Sequence, residues 1–461
     1  MTYIFYQFQL HIITNPLKQE NRKQKNKSKM QQIGNEVANT PTTTVTTAKN
    51  ESSKRRSLYC LLSIISVSLI FILSYSSFPS SSSSFSILNH SRKQKSQIQI
   101  QSLVSKLKPN APPLPSVAYV ITGSNGENDR IFRLLKSIYH PKNQYLLHLD
   151  LTAPQSQREQ LVNFVQSNPI FNSLQNVNVV GNPDFSNPKG SSSVSSILHT
   201  ASLLLRFSSN WDWFINLSSS DYPLISQDDL LHILSFVPKD LNFLNHSSYI
   251  GWKEAWRIKK IVVDQGLFLT ENSDIFYATQ KRELPKAYRL FTGSASTILS
   301  RKLVEHCIVG SENLPRTVLM YLSNTPSSQV NYFQTVACNS REFSKTIVNH
   351  NLRWQWHSSL NGSNDANELD EMIDSGAVFG TGFILDESVL DHIDQEVLKR
   401  PPGRILSGGW CLGDYHSYND PCMVKGSVDI VRPGPGSTRL EKLLVRLLSS
   451  QTFQSSQCMV E

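Results

Sequence analysis

The sequence predicts an α/β protein built on a doubly wound mixed sheet, and three observations carry this prediction. Apolar runs of strand length alternate with helical patterns from residue 115 onward. These runs end in small, hydroxylated or acidic residues, and the composition of the chain changes sharply at residue 115. Repeated strand–helix alternation implies a mainly parallel sheet whose ligands bind beyond the carboxyl ends of its strands.

The first 57 residues form a basic tail. They hold ten Lys and Arg against three Glu, so they supply +7 of the formal net charge of +9. The rest of the chain is nearly neutral, with no basic stripe and no recognisable DNA- or RNA-reading motif. Charge and composition therefore argue against a nucleic-acid partner.

Residues 58–78 are predicted to anchor the chain in a membrane as a single-pass helix. The eighteen residues Leu58–Tyr75 carry no charge, and as a helix they span roughly 27 Å. A buried core helix would show a polar face, and a cleavable signal peptide would lie at the extreme N-terminus. Because Lys54, Arg55 and Arg56 precede the segment, the positive-inside rule places the tail in the cytosol and the rest of the chain in the lumen.

Residues 79–114 are predicted to form a disordered stem. They are Ser-rich, then polar and basic, and they end in a Pro-rich segment, a composition that cannot bury enough apolar surface to fold alone. The remaining residues, 115–461, are assigned to one lumenal domain. Either Met1 or Met30 could begin translation.

The lumenal domain opens with a strand–helix–strand unit. The run SVAYVITG is followed by apolar residues at helical spacing and then by the run YLLHLD. A helix near residues 154–167, a strand at VNVVG, a helix at SSILHTASLLLRF and a strand at WDWFINLS continue the alternation. The next helix begins after Ser226, a favourable N-cap, with Asp228 and Asp229 in its first turn.

Five cysteines lie in the lumenal domain, where an oxidising environment allows disulfides to persist. Their spacing fits no zinc-binding pattern. We expect Cys411 and Cys422 to form one bridge, because both lie in a single loop containing Gly, Asp and Pro, and Cys307 and Cys338 to form a second. Free buried thiols are the alternative for each pair, and Cys458 is left over.

Three lumenal N-x-Ser sequons are expected to carry glycans, at Asn89, Asn245 and Asn361. A fourth, at Asn216, lies inside an apolar run. We expect Asn216 to be buried and without a glycan.

Several segments of the sequence, taken together, indicate a family far more specifically than the residues at any one strand end. They are YVITGSNGENDRIFRLLKSIYHPKNQYLLHLDL, NWDWFINLSSSDYPLISQDDLL, LNFLNHSSYIGWKEAWR, LFTGSASTILSRKLVEHCI, NLPRTVLMYLSN and GGWC. Over about residues 115–445 the chain resembles plant glycosyltransferase family 14, the Core-2/I-branching-like group that includes the β-glucuronosyltransferases of arabinogalactan proteins.

The resemblance implies a Golgi type II membrane enzyme with a GT-A-like fold. It implies inverting transfer of a sugar, by family analogy glucuronic acid, from a UDP-sugar to a glycan or glycoprotein acceptor such as the galactan of arabinogalactan proteins. It also implies that no metal cofactor is needed. The sequence agrees, since no clear Asp-x-Asp segment ends a predicted strand.

The strand ends supply the candidate donor site. Gly123 and Ser124 follow the first strand and Asp150 follows the second, so all three are expected beside the nucleotide sugar. The alternative for Asp150 is that it caps a neighbouring helix.

Trp252, Lys253 and Glu254 follow a glycine in a predicted loop and are candidates to contact sugar or phosphate. The first two are assigned to the donor site.

Asp221, near the end of the fourth predicted strand, is the candidate acceptor-side carboxylate and the candidate catalytic base. By resemblance, Thr292, Gly293 and Ser294 correspond to a tight turn near the acceptor. The alternative for this segment is a turn that binds nothing.

Two segments depart from the family pattern. Inverting transfer needs a base that takes the acceptor's proton and positive charge that stabilises the departing diphosphate. Where the family has a Glu aligned with the base of related xylosyltransferases, this chain has Val330, which cannot take a proton. Where the family has a basic pair that resembles a diphosphate clamp, this chain has Thr381 and Gly382, which supply no charge.

Three hypotheses stay open at this point. In the first, the enzyme is active and other residues replace the base and the clamp. The candidates are Asp221, Glu271 and Asp274 for the base, and Lys399, Arg400 and Arg404 for the clamp. In the second, the chain is a catalytically impaired family member that binds glycan, nucleotide sugar or a partner transferase, since losing either function removes several kcal/mol of transition-state stabilisation. In the third, the gene model is locally wrong.

Overall fold

The computed structural model describes residues 112–268, 274–356, 365–383, 387–413 and 420–459, which belong to one compact unit spanning Ser96–Glu461. The predicted tail, membrane anchor and stem as far as residue 111 lie outside the described residues, as do Glu271 and the sequons at Asn89 and Asn361. Among the helices that the structure describes, none is long and apolar enough to cross a membrane.

Strands in the described ranges number fourteen. They are β1 (Val117–Gly123), β2 (Gln144–Leu149), β3 (Val177–Val179), β4 (Trp213–Ser218), β5 (Asp221–Pro223), β6 (Asn242–Phe243), β7 (His246–Ser247), β8 (Lys260–Asp264), β9 (Ile275–Lys281), β10 (Thr292–Gly293), β11 (Ile298–Ser300), β12 (Ile347–Val348), β13 (Arg353–Gln355) and β14 (Phe379–Thr381).

Helices of the same ranges number thirteen. They are α1 (Asn128–Ser137), α2 (Gln155–Ser167), α3 (Pro169–Leu174), α4 (Ser192–Phe207), α5 (Gln227–Leu234), α6 (Trp252–Lys259), α7 (Arg301–Ile308), α8 (Asn313–Leu322), α9 (Tyr332–Asn339), α10 (Asp365–Asp374), α11 (Glu387–His392), α12 (Pro435–Leu448) and α13 (Ser450–Ser455). Short 3₁₀ turns add Gln265–Phe268, Ser328–Val330 and Pro421–Met423, and a π-helical turn adds Ile393–Val397.

A seven-stranded mixed sheet forms the centre of the fold, in the order β12-β6-β11-β4-β1-β2-β3. Strands β4, β1, β2 and β3 run parallel to one another, whereas β11 is antiparallel to both β4 and β6. The predicted mixed sheet is therefore confirmed. Smaller sheets, β13-β14-β5, β10-β7 and β8-β9, lie outside it.

The parallel half of the sheet confirms the predicted strand–helix alternation. In α1, the residues at helical spacing, Ile131, Leu134 and Leu135, are all buried. At the start of α5, the Ser226 hydroxyl accepts a hydrogen bond from the backbone N–H of Asp229, and the Asp229 carboxylate accepts one from the backbone N–H of Ser226. This reciprocal cap fixes the first turn of α5.

Apolar side chains cover both faces of the central sheet. On β4, Trp213 belongs to the core on one face and Phe214 to the core on the other, because neighbouring residues of a strand point to opposite faces. Trp211, just before β4, is buried as well. The aromatic run of β4 thus builds the core that holds the strand ends in place.

The disulfides match the expected pattern only in part. Cys411 and Cys422 are bonded, as expected. Cys338, on α9, is bonded to Cys458 instead of Cys307, so the expected bridge between Cys307 and Cys338 is wrong. The chain after α13 returns to the core around α9, which brings Cys458 beside a residue 120 positions earlier. Cys307 keeps a free thiol next to Tyr332.

Candidate active site

The carboxyl ends of β1, β2 and β4 meet at one edge of the sheet. The backbone N–H of Asp150 donates to the carbonyl of Gly123 (2.9 Å), and the N–H of Ser219 donates to the carbonyl of Thr122 (2.8 Å). A Cβ atom at Gly123 would lie 2.7 Å from the end of the Ile131 side chain, so glycine lets α1 pack close behind the strand. This edge is where a doubly wound sheet binds its ligand.

The residues predicted for the donor site differ in their availability. Ser124 is exposed at this edge. Asp150 is buried and shapes the local loops, because one carboxylate oxygen accepts from the N–H (2.8 Å) and hydroxyl (2.6 Å) of Thr152 and the other from the N–H of Ser186 (2.6 Å). Thr152 and Ser186 both lie in loops, so Asp150 orders two loops and does not cap a neighbouring helix, as the alternative had it.

Asp221 forms a buried ion pair with Arg353. The two charged groups are 3.0 Å apart, and their side chains are 3% and 1% exposed. The carboxylate also accepts from the N–H of Ser218 (2.8 Å), and Arg353 donates to the carbonyl of Asn216 (2.6 Å). This geometry favours a structural role for Asp221 over the predicted role as catalytic base, because its charge is committed to a buried partner.

The segment with the substituted clamp residues lies beside the same edge. Strand β14 is antiparallel to β5, and the N–H groups of Gly382 and Phe383 both donate to the carbonyl of Ser220 (3.2 and 3.1 Å). Gly382 has a φ of +100°, and a Cβ atom there would lie 2.7 Å from the Gln355 amide nitrogen. The Arg130 side chain donates to the carbonyl of Phe383 (2.5 Å), which puts one cation at this segment.

Two of the three cations predicted to replace the clamp, Lys399 and Arg400, are engaged elsewhere. Arg400 is 2% exposed and forms an ion pair with Asp394, and it also donates to the Tyr222 hydroxyl (2.8 Å). Lys399 is exposed and pairs with Glu396 (3.0 Å). Arg404 contributes its carbonyl as an acceptor for Arg400 (2.8 Å).

A carboxylate lies beside the substituted base position. Trp252, Lys253 and Glu254 begin the helix α6, where the sequence predicts a loop. The Glu254 carboxylate accepts from the Thr292 hydroxyl (2.8 Å) and from the Arg257 guanidinium (3.0 Å). Arg257 also donates to the Asn331 side chain (2.6 Å), the residue that directly follows Val330.

The Glu254 carboxyl is held in its ionised form. Burial alone would raise the pKa of Glu254, but hydrogen bonds and the charge of Arg257, together with hydrogen bonds involving Thr292 and Asn331, bring this pKa below its ordinary value. At neutral pH this carboxylate is therefore ionised and, unlike that of Asp221, it is only partly buried, but its ion pair with Arg257 and its lowered pKa make it a weaker base than an ordinary glutamate.

The segment Thr292–Ser294 connects this carboxylate to the strand ends. A Cβ atom at Gly293 would lie 1.7 Å from the carbonyl oxygen of Asn245, so no larger residue fits there. The Ser294 carbonyl accepts from the Gln334 amide (2.7 Å), and the next residue's carbonyl accepts from the Asn216 amide at the end of β4 (3.2 Å). The predicted acceptor residues and the predicted donor edge are thus joined by one continuous stretch of chain.

Three arginines of the site could not be singled out from the sequence, and the role of Glu254 as a base was not predicted. Arg257 lies three residues after Glu254, a spacing that signals an ion pair on a helix and does not distinguish a site from a solvated face. Arg130 and Arg353 carry no local signal, because their partners lie 253 and 132 residues away along the chain. Asp274, offered as a replacement base, is exposed just before β9.

An open α/β sheet whose parallel strands end at one edge belongs to the class of domains that bind nucleotides and similar ligands at that edge. Residues 117–371 match the family model described as "Core-2/I-Branching enzyme". The chain belongs to this family. This confirms the resemblance to glycosyltransferase family 14.

Two curated relatives from Arabidopsis thaliana match most of the chain. The beta-glucuronosyltransferase GlcAT14A is 45% identical over 77% of this chain and 81% of its own length. The beta-glucuronosyltransferase GlcAT14B is 46% identical over 74% of this chain and 80% of its own length. A solved structure, the apo form of mouse xyloside xylosyltransferase 1, matches with a TM-score of 0.31 at 10% identity, covering 58% of this chain and 98% of that one.

Proposed function

We propose that this chain transfers glucuronic acid from UDP-glucuronic acid to a hydroxyl of a β-galactan acceptor, with inversion at the sugar carbon. Support comes from the family and from the two relatives, whose names state glucuronosyl transfer and which the chain covers over about four fifths of their length. The single observation that supports catalytic activity is the position of Glu254. Its ionised carboxylate lies beside the position where Val330 replaces the family base.

In this proposal Glu254 takes the proton of the acceptor hydroxyl as the bond to the sugar carbon forms. Its contact with Thr292 places it at the predicted acceptor segment, and Arg257 fixes its orientation. The hydroxyl proton moves to the carboxylate, the acceptor oxygen bonds to the anomeric carbon, and the electron pair of the broken bond leaves with UDP.

Charge stabilisation of the departing diphosphate is assigned to Arg130. This residue lies in the first turn of α1, at the strand-end edge, and contacts the segment that replaces the clamp. The positive end of the α1 dipole acts in the same direction. We propose transfer without a metal ion, because no Asp-x-Asp segment ends a strand in the sequence.

We further propose that the chain is a Golgi type II membrane protein with a lumenal catalytic domain. The uncharged segment 58–78 and its basic N-terminal flank support this topology. The disulfides Cys338–Cys458 and Cys411–Cys422 are compatible with an oxidising lumen. Protease protection of the lumenal domain in sealed Golgi vesicles tests it.

The test of the proposed activity uses the purified full-length chain in detergent. UDP release and glucuronic acid incorporation are measured with UDP-glucuronic acid and a β-galactan oligosaccharide. Turnover that needs both substrates supports the proposal. Binding of UDP without turnover, under conditions where GlcAT14A turns over, contradicts it and favours a non-catalytic binding subunit, the function suggested by Val330, Thr381 and Gly382.

A further inference from the structure

The outer side of α6 and the adjoining β8–β9 ribbon carry a group of exposed aromatic and basic residues. Trp252, Trp256 and Tyr277 are 76%, 50% and 57% exposed. Lysine side chains lie over or beside these rings. We call the following six residues the aromatic–lysine surface: Trp252, Lys253, Trp256, Lys260, Tyr277 and Lys281.

Two of the three lysines of this surface face one another across the ribbon. Lys260 and Lys281 are directly paired in the antiparallel register of β8 and β9, an arrangement that is unfavourable for like charges. Their ammonium groups converge on Trp256, at 3.6 and 5.3 Å from its ring centroid. In the described residues no carboxylate forms an ion pair with Lys253, Lys260 or Lys281. An anion placed here would relieve the repulsion.

The aromatic rings suit a carbohydrate. The C–H groups of a pyranose ring carry partial positive charge and stack on the negative face of an indole or phenol ring. Trp252 and Trp256 are four residues apart on α6, so they lie on the same side of the helix. The clustering of these rings with three lysines, and not their exposure alone, indicates a binding surface.

The surface and the candidate acceptor site share the helix α6 but lie on different sides of it. Glu254 is two residues from both Trp252 and Trp256, a spacing that turns its side chain away from theirs, and it points to Thr292. Because α6 is only about 12 Å long, a glycan chain that presents its acceptor hydroxyl to Glu254 can reach the surface by passing around the end of this helix.

We propose that the aromatic–lysine surface binds the part of a glycan chain that already carries glucuronic acid. The rings stack on galactose units, and the lysines pair with glucuronate carboxylates. The identity of this glycan rests on the proposed function, which places glucuronate on the product. A surface of this kind would keep the enzyme on a chain that it has begun to modify.

The probes are a glucuronate-bearing β-galactan oligosaccharide and its carboxyl-reduced form, in which each glucuronate becomes glucose. Binding to the full-length chain is measured by calorimetry without UDP-sugar, so the result does not depend on turnover. We expect the glucuronate-bearing form to bind at least about tenfold more tightly, and this preference to vanish in the variant K260Q/K281Q. The variant W252A/W256A should weaken both forms by about tenfold or more. UDP binding should be unchanged in K260Q/K281Q.

The matched control is F207A/F236A, which removes two exposed rings outside this surface (55% and 62% exposed) and should change neither glycan affinity. Equal binding of the two oligosaccharides would overturn the proposal. The proposal would also be overturned if binding to anionic lipid vesicles depended on these six residues and glycan binding did not. The surface would then be a membrane-binding surface. An inactive chain that still prefers the glucuronate-bearing form contradicts the proposed transfer activity alone.

Discussion

Replacing Glu254 by Gln tests the assignment of the catalytic base. The side chain keeps its size and its acceptor oxygen toward Thr292, but it can no longer take a proton. General base catalysis contributes about 10²–10⁴-fold, so we expect kcat to fall by that factor while KM for the acceptor changes by less than about threefold. Because neighbouring groups lower the pKa of Glu254, wild-type activity should persist below the pH at which an ordinary glutamate is protonated.

The fold should survive this substitution. Glu254 loses its ion pair with Arg257, but the site is partly open to solvent, which reduces the cost to about 1 kcal/mol or less. The urea midpoint should therefore shift little. The control is Glu283→Gln, which removes a carboxylate that is 90% exposed and pairs with Lys259 at 3.6 Å, and which should leave kcat unchanged.

Val330→Glu provides the rescue. In the E254Q background, a carboxylate at position 330 lies where the family places its base. We expect the double variant to have a kcat at least tenfold higher than that of E254Q. UDP release with purified variants measures both effects. If the wild-type enzyme is active and E254Q has the same kcat, the assignment of Glu254 as the base is refuted. A double variant that stays as slow as E254Q also refutes it.

Three further predictions concern stability. Gly293→Ala should lower the free energy of unfolding by at least about 3 kcal/mol, because the new Cβ would lie 1.7 Å from a carbonyl oxygen, whereas Gly251→Ala meets nothing within 4 Å; urea midpoints compare the two. Removing the Cys338–Cys458 bridge with alanines should cost about 2–5 kcal/mol, and non-reducing peptide mapping should recover this pair. Burial lowers the pKa of His140 to about 3, so the unfolded chain binds its proton first and stability falls as pH drops below 6.5; His140→Asn should remove about 2–3 kcal/mol of the loss between pH 6.5 and 4.5, measured by urea unfolding.

The parallel half of the sheet could be predicted because its signals are local. Strands β1, β2 and β4 are buried along nearly their whole length, so each is a continuous apolar run in the sequence. Strands of two or three residues, such as β6, β10 and β12, have no such run. Their conformation depends on partners as distant as Ile347 is from Asn242, and only the folded chain reveals them.

The sequence predicted which residues lie at the strand ends of the site. It did not reveal the roles of residues whose bonding partners are distant along the chain. Asp150 and Asp221 stand at the expected edge, but their roles are set by bonds to Ser186 and Arg353. A carboxylate at a strand end therefore predicts position better than function. Cys338 shows the same limit, since sequence spacing carries no information on which of two cysteines the fold brings near.

The two substituted functions differ in how easily they could be restored. Val330 sits in a 3₁₀ turn with an ordinary backbone, so a glutamate there needs only space for its side chain. Gly382 has a φ of +100°, and any side chain there would be strained and would meet Gln355 and the carbonyl of Trp356. A lysine at 382 therefore cannot rebuild the clamp without moving this segment. The proposed transfer therefore assigns diphosphate stabilisation to another group, Arg130, which donates to the carbonyl of Phe383, the residue after Gly382.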